Sequence, residues 1–162
     1  MSRFHITYQR EQEDCGAACL AMIIRFYGFR VTLEAIKAFC GNTKNGMTLF
    51  GLNRAASRMG FSTQAVRING DEFNQLQEES FPFIAHWHQN HFIIVYKQTS
   101  RYIYVADPAL GRVRYKRKDF LEGFASSDNE DGFALLLKPN KVISTWDNQE
   151  QREGLRIHNY IK

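Results

Sequence analysis

Cysteine is scarce in this chain of 162 residues: there are three, at positions 15, 19 and 40, with no CxxC pair among them. An odd, sparse set speaks against a disulfide framework and against a structural zinc site, and it fits a reducing, cytosolic setting. Long apolar runs are missing too. No stretch approaches the ~18 residues of a membrane-spanning helix. The apolar stretch Leu20–Ile24 is too short for the core of a signal peptide, and Asp14 and Arg25 flank it with charge. The phosphate-cradling pattern G-x-x-x-x-G-K-S/T does not occur, nor does an internal repeat or a low-complexity tract. Charge of one sign is barely in excess: Lys+Arg is 21 and Asp+Glu is 17, a net +4. That excess permits an anionic partner without demanding one, and no nucleic-acid partner is expected from it. What remains is globular: 44% hydrophobic, 14% aromatic and 23% charged residues, in a length that suits one domain.

The first strong element starts at Asp14, a candidate N-cap, and runs through Tyr27 to a terminating Gly28. Ala18, Leu20, Met22, Ile23, Ile24 and Phe26 make it apolar on most sides, so a central, buried helix is expected. A second helix is expected from a Thr32 cap to Gly41, and a third from about Thr48 to Gly60. The character then changes. Strands are expected at 61–68, 81–87, 91–97 and 101–106, with a short one at 112–115 and a buried one at 133–137. Short helices are expected at 71–77, capped by Asp71, and at 119–124. Helices first and an antiparallel sheet second make an α+β domain. It is expected to cover 1–139, and the polar stretch 140–162 reads as a linker or tail.

Cys15 sits at the expected start of the buried helix, with Gly16 beside it. A helix N-terminus offers unpaired N–H groups and partial positive charge, which favour a thiolate over a thiol. Gly16 would leave room for a substrate backbone. The plainer alternative is a small buried hydrophobe, as most free cysteines are. A thiolate nucleophile needs a base, and the base an orienting group. Three histidines cluster in His86-Trp-His88-Gln-Asn-His91. They suit either a metal site, which lacks an obvious closing carboxylate or cysteine nearby, or a base at the start of the apolar strand His91-Phe-Ile-Ile-Val. Sixteen residues on, Asp107 ends the neighbouring strand and could return to His91, or serve only the Asp-Pro turn. Gln9 and Gln12 both suit the second donor of an oxyanion hole, the Cys15 N–H being the first.

Together, Gln9-Arg-Glu-Gln-Glu-Asp14-Cys15-Gly16-Ala-Ala-Cys-Leu20-Ala-Met, then Tyr27-Gly28, His91-Phe and Ala106-Asp107-Pro108, resemble the bacteriocin-processing cysteine peptidase domain of peptidase-containing ABC transporters. The likeness runs from about Tyr8 to Pro139. It implies a papain-like fold and cleavage of leader peptides after a double-glycine-type motif, on the cytoplasmic side of the bacterial plasma membrane. It implies Cys15 as nucleophile, His91 as general base and acid, Asp107 as orienter and Gln9, not Gln12, as oxyanion donor. The implied partners are the leader peptide and the transmembrane and ATPase domains of a transporter. No metal or cofactor is implied for this domain, ATP being expected only in the nucleotide-binding domain. Such leaders resemble amphipathic helices, for which Phe50, Phe61, Phe73 and Tyr102 are candidate contacts.

Overall fold

Helix α1 (Cys15–Phe26) is buried without a break from Cys15 to Ile24, as its all-round apolar sequence requires. The computed structural model, which describes residues 3–41, 45–126 and 130–140, surrounds α1 with α2 (Leu33–Cys40), α3 (Leu49–Met59) and a sheet. Thr32 and Thr48 cap α2 and α3, each hydroxyl accepting a backbone N–H three residues on. Gly28, with φ 91°, turns the chain away after α1.

Six antiparallel strands form one sheet in the order β1-β6-β2-β3-β4-β5. They are β1 (Phe61–Ile68), β2 (Phe83–Trp87), β3 (His91–Gln98), β4 (Tyr102–Asp107), β5 (Gly111–Lys116) and β6 (Gly132–Pro139). Strands β2 to β5 form the expected meander. The last strand, β6, is inserted between β1 and β2. Both faces of the sheet are covered, which is why its central strands read as continuous apolar runs rather than alternating ones. On one face Ile84, Phe92, Ile94 and Leu135 join the core of α1, α2 and α3. On the other, Phe83, Ile93, Val95 and Ala134 join Phe73 of α4 (Gly70–Asn74) and Phe120 and Phe124 of α5 (Arg117–Phe124).

Several boundaries differ from the sequence reading. Asp14 precedes α1 with helical backbone angles and makes no capping hydrogen bond to it, because a 3-10 turn over Gln12–Asp14 runs straight into the helix. Asn69, not Asp71, caps α4, in a capping box with Glu72. Strand β2 starts at Phe83, after Pro82, which has no N–H for the ladder. Residues 141–162, the expected tail, lie outside the described residues.

The β2–β3 connection turns on His88 and Gln89, both at positive φ (49° and 64°), as a tight hairpin requires. It is strapped to α5 by the His88 N–H, which donates to the Gly123 carbonyl at 2.9 Å. A Cβ at Gly123 would lie 2.5 Å from the Trp87 ring, which is stacked on Phe120. Gly123→Ala would gain about 0.5–1 kcal/mol of helix propensity and lose about 1–3 kcal/mol by overpacking. The second effect wins, so thermal unfolding of the variant is expected several degrees below the parent.

Candidate active site

Three element ends meet where β3 starts and β4 ends. Cys15 opens α1, His91 opens β3 and Asp107 closes β4. Ile94 lies opposite Ala106 in the β3–β4 ladder, so the end of β4 falls beside the start of β3. The His91 Nε2 and the Asp107 Oδ1 are 2.8 Å apart. The ring also interacts with the Cys15 side chain, which helps to raise its pKa. With Nε2 committed to Asp107, Nδ1 is the atom left for the sulfur. The expected histidine–aspartate pairing and the approach to Cys15 are both present. The turn role of Asp107 is present too, for the same Oδ1 accepts the Ala109 N–H at 2.8 Å.

Asp107 is 2% exposed. Burial pushes its pKa up, but the hydrogen bonds from His91 and the Ala109 N–H outweigh burial and leave it below the ordinary aspartate value. For His91, burial pushes the pKa down. The hydrogen bonds and charges of Asp107 and Cys15 outweigh that and raise it to about 9. His91 therefore carries its proton at neutral pH. The other two thiols are poor nucleophiles: burial pushes Cys19 far up, and it raises Cys40 to about 11 against a small opposing effect of Arg58.

A cleft of about 570 Å³ opens above Cys15. One wall is the segment from Asn45 to Leu49, and the other is built by His86, Gln89, Asn90 and Phe92. His86 stacks on Phe92 with ring centroids 5.0 Å apart, and burial lowers its pKa despite the Gln89 backbone. His88 lies in the turn, not on the strand with His86. Among the described residues no group of three or more His, Cys, Asp and Glu side chains could hold a metal ion.

The two candidate glutamines part company. Gln12 is exposed and lines the cleft. Gln9 is half-buried, its Oε1 has no hydrogen-bond partner among the described residues, and its N–H donates to the Pro108 carbonyl at 2.9 Å, beside Asp107. Gly16 differs from expectation: it is buried, and a Cβ there would meet Leu52 Cδ2 at 3.2 Å and Met47 Cβ at 3.3 Å. Its missing side chain makes room for Met47 and Leu52, not for an open approach. Of the aromatics considered for a leader groove, Phe61 and Phe73 are core, Tyr102 lies under the Arg114 guanidinium at 4.2 Å, and Phe50 is exposed. That Asn45 to Leu49 and Gln89, Asn90 and Phe92 line the cleft was missed in the sequence, since nothing local marks a loop as facing a distant cysteine.

A thiol at the head of a buried helix, an imidazole from a strand across from it and a buried carboxylate behind the ring define a papain-like cysteine peptidase domain. The chain belongs to the Peptidase C39 family, whose model matches residues 3–141. Over 138 residues it is 34% identical to the lactococcin-G-processing and transport ATP-binding protein LagD of Lactococcus lactis subsp. lactis, covering 83% of this chain and 19% of LagD. The chain thus spans about a fifth of that transporter's length. It is also 30% identical over 122 residues to an uncharacterized protein of Methanothermobacter thermautotrophicus, covering 75% of this chain and 84% of that one. Among solved structures, a double glycine motif protease from an AMS/PCAT transporter, in complex with its leader peptide, superposes with a TM-score of 0.76 at 30% identity. That superposition covers 85% of this chain and 93% of the protease. No helix of the described residues is long and apolar enough to cross a membrane.

Proposed function

We propose that this domain is an endopeptidase that removes the N-terminal leader from a secreted peptide precursor, after a double-glycine-type motif. Its place would be the cytoplasmic side of the bacterial plasma membrane, with the transmembrane and ATPase domains of an ABC transporter as partners. The domain's own chemistry would use no cofactor, ATP belonging to the ATPase domain. One observation carries this reading: His91 is bound to Asp107 through Nε2 and interacts with Cys15, which lines an open cleft. In the reaction the Cys15 sulfur attacks the carbonyl carbon before the scissile bond. The Cys15 N–H and the Gln9 amide hold the oxyanion. The tetrahedral species collapses as His91 gives its proton to the leaving amine. Water, deprotonated by His91, then releases the acyl group and regenerates the thiol. Asp107 holds the ring in register throughout. Met47, His86 and Phe92 line the same cleft as Cys15, and such bulky walls suit a substrate with residues without side chains.

Incubation with a synthetic precursor bearing a double-glycine leader tests this by mass spectrometry. Hydrolysis at the second glycine is expected. Binding without cleavage would make the domain a substrate-recognition module instead, and transfer of the leader acyl group to a non-water acceptor would make it an acyltransferase. In the same assay Gln9→Ala is expected to lower kcat about 10²-fold, with Gln12→Ala near the parent rate; the reverse order would make Gln12 the donor.

A further inference from the structure

Among the described residues only two charged side chains are buried, Asp107 and Asp14. The first is explained by His91. The second is 1% exposed, directly precedes the nucleophile and does not cap the nucleophile's helix. Its carboxylate turns backwards along the chain. Oδ2 accepts the Glu11 N–H at 2.9 Å and the Arg10 N–H at 3.3 Å, and Oδ1 lies 3.0 Å from the Lys37 Nζ of α2. These contacts outweigh burial and keep Asp14 below the ordinary aspartate value, so it is ionised at neutral pH. A buried charge is costly unless paired and hydrogen-bonded; here Lys37 of α2 supplies the pairing and the segment just upstream of Cys15 the hydrogen bonds.

The geometry around Gln9 gives this arrangement a use. The Gln9 N–H is fixed to the Pro108 carbonyl, next to Asp107, while the N–H of the following residue, Arg10, is fixed to Asp14. Gln9 is thus pinned on one side to the turn that carries the histidine's partner and on the other to the residue before the sulfur. We propose that Asp14, backed by Lys37, is a positioning residue that holds the Gln9 amide in reach of the oxyanion formed at Cys15. This rests on the peptidase reading and adds to it a part for a carboxylate that touches no reacting atom.

The test is a double-mutant cycle on cleavage of the double-glycine precursor. Asp14→Ala is expected to lower kcat about 10–10²-fold, the scale of a misplaced catalytic group, with KM within about threefold of the parent. Asp14→Asn keeps an acceptor oxygen for the two N–H groups and is expected to restore most of the rate. In the Gln9→Ala background, Asp14→Ala should cost little more. Equal losses in both backgrounds, or an unchanged kcat, would overturn the proposal, since a merely structural role would not depend on Gln9. Lys37→Ala, a half-exposed change, serves where Asp14→Ala does not fold; a severalfold fall in kcat that vanishes without Gln9 is expected, and a fall that persists overturns the idea. The acylation burst from a small p-nitrophenyl ester gives the same readout without a leader. A parent that shows the burst but spares the precursor would refute the substrate, while the cycle on the ester still judges Asp14.

Discussion

Cys15→Ala is expected to abolish cleavage of a double-glycine precursor, a loss of at least about 10³-fold, while the variant still folds and still binds the leader. Cys15 lines the cleft and interacts with the His91 ring, as the proposed acyl-enzyme requires. The substitution removes little volume from a residue that is 5% exposed, so stability changes by about 1 kcal/mol at most. Cys40→Ala should leave kcat within about twofold of the parent. Cys19→Ala should do the same, its cost falling on the core that it fills rather than on chemistry. Alkylation by iodoacetamide at neutral pH is expected at Cys15 first, because burial holds the other two as thiols. Full activity in Cys15→Ala would remove the nucleophile assignment.

The second large effect is at Asp107. In the parent, kcat/KM should fall as pH rises through about 9, where His91 gives up the proton owed to the leaving amine. Asp107→Asn removes the charge and the carboxylate acceptor that raise His91, and leaves the burial that lowers it. The alkaline limb is therefore expected to move towards or below the ordinary histidine value of 6.5, with kcat/KM at neutral pH lower by about 10²-fold or more. An unmoved alkaline limb would show that the carboxylate does not set the state of the ring. The same linkage applies to folding. A raised histidine adds stability that is complete below about 6.5 and is lost as pH rises through about 9, so unfolding midpoints should decline over that window.

The elements that the sequence made legible are those whose signal is local. The all-apolar helix after Asp14, the threonine caps at 32 and 48, and the short connections between β2 and β5 depend only on residues near them in the chain. The insertion of β6 between β1 and β2 was not legible, because partner choice is settled by which faces other elements cover. Cys15, His91 and Asp107 stood out through residue type and spacing, and the fold does bring them together. Gly16 misled. A glycine beside a nucleophile looks like open space, yet only the folded chain shows Met47 and Leu52 already there. Asp14 misled in the same way, for its type and place suit a cap, whereas the preceding 3-10 turn points its carboxylate elsewhere.

Cys15 belongs to the core that α1 shares with α2 and α3, while the hairpin that ends at His91 is strapped to α5, on the opposite side of the sheet. Sulfur and imidazole are thus mounted on separate layers. The gap between them registers how those layers stack, as the jaws of a caliper register the thickness of what they grip. Side chains such as Phe120 and Trp87, buried in the core on the α5 face, should then tune turnover, and activity should fail earlier on heating than helix content does.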